Sequence, residues 1–244
     1  MTLSTSTRVL LFGDSISLGA AEIRVPDIVA TVDESYVDHL TAAAPEYTFI
    51  VDAKIQRSMA HAIADLPAAL EAVRPDIVLL ILGGNDADMN WRRFIMTSGR
   101  AARSNVQPVE FGNNLAAMVD LVRQHGPLPI ITDVAYHDLT TRGTYLSNLL
   151  NLDVTAMLLA HNIHERSDRE LPLFWDQIER VAQTKQVPLV RFGRRLYDAR
   201  PQRVMGVDGM HPNAFAHRLI AEEVLAVLQT ATRAASQPAS QPLA

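Results

Sequence analysis

The chain is predicted to be an α/β protein built on a mainly parallel sheet covered by helices on both faces. Three observations carry that reading. Short apolar runs suited to buried parallel strands recur at Val9–Phe12, Ile77–Leu82 and Pro129–Thr132, with two shorter ones at Tyr47–Val51 and Val187–Val190. Helical patterns fall between them, as crossover connections require. Polar turns follow the first two runs directly, Gly13-Asp14-Ser15 and Gly83-Gly84-Asn85-Asp86. An open parallel sheet exposes its chemistry at such strand ends.

The helical segments are expected in order. Ser35–Ala44 is the first. Ser58–Val73 is the second, with apolar positions at Met59, Ile63, Leu66, Leu70 and Val73. Leu115–Val122 continues the alternation, and Pro212–Leu228 closes it, with Pro212 placed in the first helical turn where a missing N–H is tolerated. Right-handed crossovers put every strand's C-terminal end on one edge, so Ser15 and Asn85 are expected to meet there. Two stretches break the alternation, residues 87–108 and 138–173. The second contains an apolar run read as one helix near Leu146–His161: a wall or lid at the sheet's exposed edge, a plain packing helix, or a dimer face.

Length and composition bound the class. The 244 residues are 48% hydrophobic and 20% charged, which suits one α/β domain with a full core. The domain is assigned to residues 1–229, and residues 230–244, rich in Ala, Ser, Gln and Pro, to a disordered tail. The net charge of −5 gives no electrostatic reason to expect a nucleic-acid partner. With no cysteine, disulfides, thiolate metal sites and cysteine nucleophiles are excluded. No apolar stretch has the ~20 residues of a membrane helix, and Val9–Phe12 is too short for a signal-peptide core, so a cytoplasmic location is expected. The oligomeric state is not legible in the sequence.

The chemistry lies in three places. Ser15 ends the first strand and is the expected nucleophile. Near the other end, Asp208-Gly209-Met210-His211-Pro212 supplies an imidazole as base and, three residues before it, a carboxylate to fix its tautomer. Asn85 supplies an amide for a developing oxyanion, with the backbone N–H of Ser15 as a second donor. Each motif alone is also an ordinary turn; their order and shared sheet edge point to acyl transfer. No Gly-x-Ser-x-Gly surrounds Ser15, which argues against the α/β-hydrolase elbow, and no Gly-x-Gly-x-x-Gly follows the first strand. Asp14 is expected to support the Ser15 turn, and Asp86 to support Asn85 or cap the segment after it. His161 and His164, spaced i, i+3, could share a helix face, but no third metal ligand is evident and no metal is expected. His137-Asp138, in the loop after the Pro129–Thr132 strand, is read as solvated, with contact to the site as the alternative.

These residues resemble the SGNH, or GDSL-type, hydrolases. Gly13-Asp14-Ser15-Ile16-Ser17 matches the family's first block, Gly83-Gly84-Asn85-Asp86 its third, and Asp208-Gly209-Met210-His211-Pro212-Asn213 its last. The resemblance implies a flavodoxin-like three-layer α/β/α sandwich with a five-stranded sheet, and hydrolysis of an acylated or small-molecule ester without a cofactor. It implies Ser15, Asn85, Asp208 and His211 as the catalytic set, with Asp14, Gly84 and the second block at the oxyanion and substrate side. That second block, Val51 to Ser58, departs from the pattern: Arg57 stands where the family has a glycine. If that position needs positive φ, Arg57 is strained. Its side chain is expected to crowd or charge the pocket; with Lys54, Arg92 and Arg93 it either binds an anionic group or is solvated or paired with the protein's own acids. An acyltransferase using the same serine, or a non-catalytic module retaining the fold, are the alternatives.

Overall fold

In the computed structural model, which describes residues 6–24 and 28–236, the five expected strands form one parallel sheet. They are β1 (Thr7–Gly13), β4 (Tyr47–Ala53), β5 (Ile77–Ile81), β6 (Leu128–Thr132) and β7 (Leu189–Val190), in the spatial order β4-β1-β5-β6-β7. β7 is shorter than the expected Val187–Val190 because Pro188 has no N–H to pair; only its carbonyl joins, accepting from Ile131 N at 3.0 Å. A small antiparallel hairpin, β2 (Ala20–Arg24) and β3 (Ile28–Thr31), was not expected and follows the Ser15 turn.

Alternate residues of the central strands face opposite layers, as the two-residue strand period demands. Val9, Leu11, Ile77, Leu79 and Ile81 pack with α1 (Tyr36–Ala43), α9 (Phe192–Asp198), α10 (Pro201–Val204) and α11 (Ala214–Ser236). Leu10, Phe12, Val78 and Leu80 pack with α2 (Met59–Val73), α5 (Pro108–Gln124) and α8 (Ile163–Lys185). The result is the expected three-layer flavodoxin-like sandwich. Ser35 and Ser58 cap α1 and α2, each accepting from a backbone N–H three residues on.

The excursions fold into a third, smaller apolar cluster over the active edge. It joins α4 (Trp91–Met96), α6 (Leu139–Leu150), α7 (Val154–Ala160) and the start of α8 through Phe94, Leu139, Leu146, Val154, Leu158 and Ile163. The single helix expected at Leu146–His161 is two. Asn151 takes a left-handed conformation at φ +51°, and Asp153 caps the next helix by accepting from Ala156 N at 2.9 Å. His161 and His164 therefore do not share a helix face: His161 ends α7 and Asn162, at φ +50°, separates it from α8.

Two boundaries at the C-terminal end also move. Pro212 lies before α11, bridged to Met205; Asn213 caps the helix instead, accepting from Ala216 N at 3.1 Å. The helix continues to Ser236, past the boundary expected at residue 229, so residues 230–236 are ordered helix and the rest of the expected tail lies outside the described residues. No helix among the described residues is long and apolar enough to cross a membrane.

Candidate active site

The first strand stops at Gly13, where a Cβ would collide with the Ser17 side chain and only glycine lets the chain turn so sharply. The turn closes through Ser17 N to Asp14 O (3.1 Å), Leu18 N to Ser15 O (3.2 Å) and Gly19 N to Ile16 O (3.0 Å). Asp14 supports it as expected, its Oδ1 accepting from Ile16 N at 3.0 Å. Ser15, 5% exposed, is left at the mouth of the sheet edge.

His211 comes to Ser15 across 196 positions of sequence. Its Nε2 lies 3.0 Å from Ser15 Oγ and its Nδ1 2.6 Å from Asp208 Oδ2. The other oxygen of Asp208 accepts from Met210 N (2.9 Å) and His211 N (3.0 Å). Burial opposes ionisation of Asp208, but the imidazole and the two amides outweigh it and hold its pKa at about 2. An ionised carboxylate only accepts, so Nδ1 carries the proton and Nε2 is free to accept from the serine hydroxyl.

The loop that carries the pair is clamped. Gly209 sits at φ +70° against α6, where a Cβ would strike Arg142 N and Asp138 O. Gly209 O accepts from Asp138 N (2.8 Å), Arg142 Nη1 reaches Asp208 O (3.4 Å), and His211 O accepts from Gly206 N (2.7 Å).

Asn85 stands on α3 (Gly84–Ala87), which begins after Gly83 at φ +111°. Its Nδ2 donates to Arg57 O (3.2 Å) and Asp14 Oδ2 (3.3 Å), and its carbonyl accepts from Asn105 Nδ2 (2.9 Å). The side-chain amide is thus fixed by the turns that carry Asp14 and Arg57, and the main chain of Asn85 by Asn105. Burial raises Asp14 to about 6. Asp86 caps α2 rather than the segment that follows it. Its carboxylate accepts from Met59 N at 3.1 and 3.2 Å, and burial raises it to about 6 as well.

Arg57 departs from expectation in two ways. It has no positive φ; the strained residue is its neighbour Gln56, at φ +57°. Its side chain does not enter the cleft. The guanidinium is buried behind the site, donating to Gly13 O (3.1 Å), Asp52 O (2.8 Å) and Asp52 Oδ1 (2.7 Å) and lying 4.2 Å over the Phe12 ring. Its backbone N–H is directed to Lys54 O at 3.2 Å. Lys54 pairs with Asp65 at 2.7 Å. Of the two roles expected for Arg57 and Lys54, the structure shows pairing with the protein's own acids rather than a free anion-binding group.

The cleft in front of Ser15 measures about 450 Å³. Ser15, Asn85, Asp208 and His211 line it, together with Gln56, Ser58, Trp91, Arg92, Arg142 and Tyr145. Asp14, Gly84 and Arg57, expected at the oxyanion and substrate side, are not among the residues that line it. Of the apolar run in α6 and α7, Leu146 and Leu149 face the cleft, whereas Leu158 packs in the cluster beneath. His137 is not solvated: its Nδ1 lies 3.1 Å from Asp88 Oδ1, and Asp88 also accepts from Trp91 Nε1. Asp138 caps α6 through Thr140 N and Thr141 N. Gln56 falls in the second block expected at the substrate side, whereas Arg142 and Tyr145 had no local signal in the sequence and reach the cleft only through tertiary packing.

A flavodoxin-like sandwich whose loops set a hydroxyl, an imidazole–carboxylate pair and an amide around one cleft is the arrangement of an esterase-type hydrolase. The chain belongs to the GDSL-like Lipase/Acylhydrolase family, whose sequence profile matches residues 11–219. Members of this family act on small-molecule esters. Solved structures share the fold. The crystal structure of TesA is 23% identical, with a TM-score of 0.62, covering 92% of this chain and 99% of that one. A lipase/acylhydrolase from Enterococcus faecalis is 17% identical, with a TM-score of 0.66, covering 93% and 96%. A variant of Axe2, an acetyl-xylooligosaccharide esterase from Geobacillus Stearmophilus, is 16% identical, with a TM-score of 0.60, covering both chains completely at 100%. No curated protein sequence matches the chain.

Proposed function

We propose that this chain hydrolyses a carboxylic ester through a covalent acyl-enzyme on Ser15. The observation that carries the reading is the row Ser15 Oγ, His211 Nε2 at 3.0 Å, and Asp208 Oδ2 at 2.6 Å from His211 Nδ1. Ser15 attacks the ester carbonyl as His211 takes its proton, then His211 returns that proton to the departing alkoxide. Asp208 holds the ring in the required tautomer and offsets the imidazolium charge. Asn85 Nδ2 and the backbone N–H of Ser15 hold the oxyanion, the amide shifting from Arg57 O as charge develops. Water, activated by His211 in the second half, releases the acid.

The feature that most favoured a non-catalytic module was Arg57. Its place as a buried strut beneath β1 and β4 accounts for it without any loss of the site. The reading is tested by a fluorophosphonate probe. Wild type should be labelled on the peptide that holds Ser15, with labelling lost in Ser15→Ala; an unlabelled wild type with a folded spectrum overturns it.

A further inference from the structure

We infer that Arg142 is the residue of this cleft that selects its substrate, and that the ester it selects carries a carboxylate. The inference rests on the hydrolase reading above and deepens it. Arg142 lies in the first turns of α6 and lines the same cleft as Ser15 and His211. Its guanidinium is flanked by two aromatic rings, 5.6 Å from the centre of Trp91 and 5.6 Å from that of Tyr145. Those rings limit its freedom and shield it from water.

Its donors are poorly used. Nη1 reaches the carbonyl of Asp208 only at 3.4 Å, and Nε is buried with no acceptor among the described residues. No carboxylate among the described residues lies within ion-pair distance of it. The two acids that line the cleft have other partners: Asp208 holds His211, and Asp88 holds Trp91 and His137. A half-buried cation with unmet N–H groups is costly unless something pairs with it. A carboxylate matches a guanidinium with paired, charge-assisted bonds. Arg92, exposed at the rim of the same cleft, adds a second positive charge. The other cations that the sequence offered for this purpose, Arg57 and Lys54, are held by Asp52 and Asp65.

The carboxylate could sit on the acyl or the alcohol half, and the experiment separates the two. Wild type is assayed on matched esters: p-nitrophenyl hydrogen succinate against neutral p-nitrophenyl levulinate, and 4-acetoxybenzoate against its methyl ester. The readout is the kcat/KM ratio within each pair, so that a general loss from loosening the Asp208 loop cancels. In one pair wild type should favour the charged ester by about ten-fold or more, the worth of a single charge-assisted bond. Arg142→Gln should bring that ratio to about one or below, and Arg142→Lys, which keeps the charge, should retain part of it. Ratios at or below one in both pairs for wild type, or a preference that survives Arg142→Gln, overturn the inference alone. No turnover of any of these esters by folded wild type overturns the hydrolase reading and takes the inference with it.

Discussion

Arg57 Nη2 lies 2.7 Å from Asp52 Oδ1, an ion pair that ties the turn before α2 to the end of β4. The arginine side chain is almost fully buried, whereas Asp52 is about one-third exposed (34%), so the loss of the pair is felt mainly through the lost guanidinium bonds to the carbonyls of Gly13 and Asp52 and the emptied space over Phe12. Arg57→Gly should destabilise the fold by on the order of 2 kcal/mol, measured by denaturant unfolding. The same variant should leave the preference between neutral and anionic esters unchanged. A changed preference would return Arg57 to the pocket.

Asn85 is fixed by Arg57 O, Asp14 Oδ2 and Asn105 Nδ2. Asn85→Ala removes one preorganised donor and should lower kcat about 10²–10³-fold with little change in KM. A KM effect with kcat intact would instead make Asn85 a ground-state binding residue.

Asp208 holds the His211 tautomer. Asp208→Asn keeps the shape but presents an amide where a carboxylate accepted, and kcat should fall on the order of 10⁴-fold. Steady-state kinetics on a small aryl ester decides it; a loss of less than about ten-fold would mean that another group orients the ring.

Asp133 gives a stability prediction with a definite sign. It caps α9, accepting from Gly193 N and from Arg194 N at 3.0 Å, yet burial outweighs those bonds and raises it from 3.8 to about 7. A raised folded-state pKa means that the folded state holds the proton more tightly than the unfolded chain does. Its contribution is complete below about pH 4 and is lost as pH rises through about 7. Asp14 and Asp86, both at about 6, act in the same direction. Asp208, lowered to about 2, acts in the opposite one, favouring the fold above its ordinary value and withdrawing that support as pH falls towards 2. The thermal midpoint should therefore fall between pH 5 and pH 8, and fall less in Asp133→Asn. Equal falls in the two proteins would remove Asp133 as a source.

The five strands were legible because buried parallel strands are continuous apolar runs, and β1 and β5 are apolar on both faces. The hairpin of β2 and β3 was not, since its strands are short and Glu22 interrupts the first. The order of Ser15, Asn85, Asp208 and His211 along the chain, each after a strand or in a turn, was enough to expect one cleft. Arg57 was placed correctly along the chain and misplaced in space. Motif spacing locates a main chain but not the direction of a long side chain, and here the backbone strain falls on Gln56 instead. Nothing in Thr140-Thr141-Arg142-Gly143 distinguishes its arginine from a solvated helix residue; only the rings of Trp91 and Tyr145 do so.

The most direct measurement is the turnover of Ser15→Ala on an activated ester, with the fold of the variant checked by circular dichroism. If the Ser15 hydroxyl is the nucleophile, kcat should fall by about 10⁶-fold relative to wild type. Turnover within about ten-fold of wild type in the folded, cleanly purified variant would contradict the assignment and leave the 3.0 Å approach of Ser15 to His211 without a catalytic role.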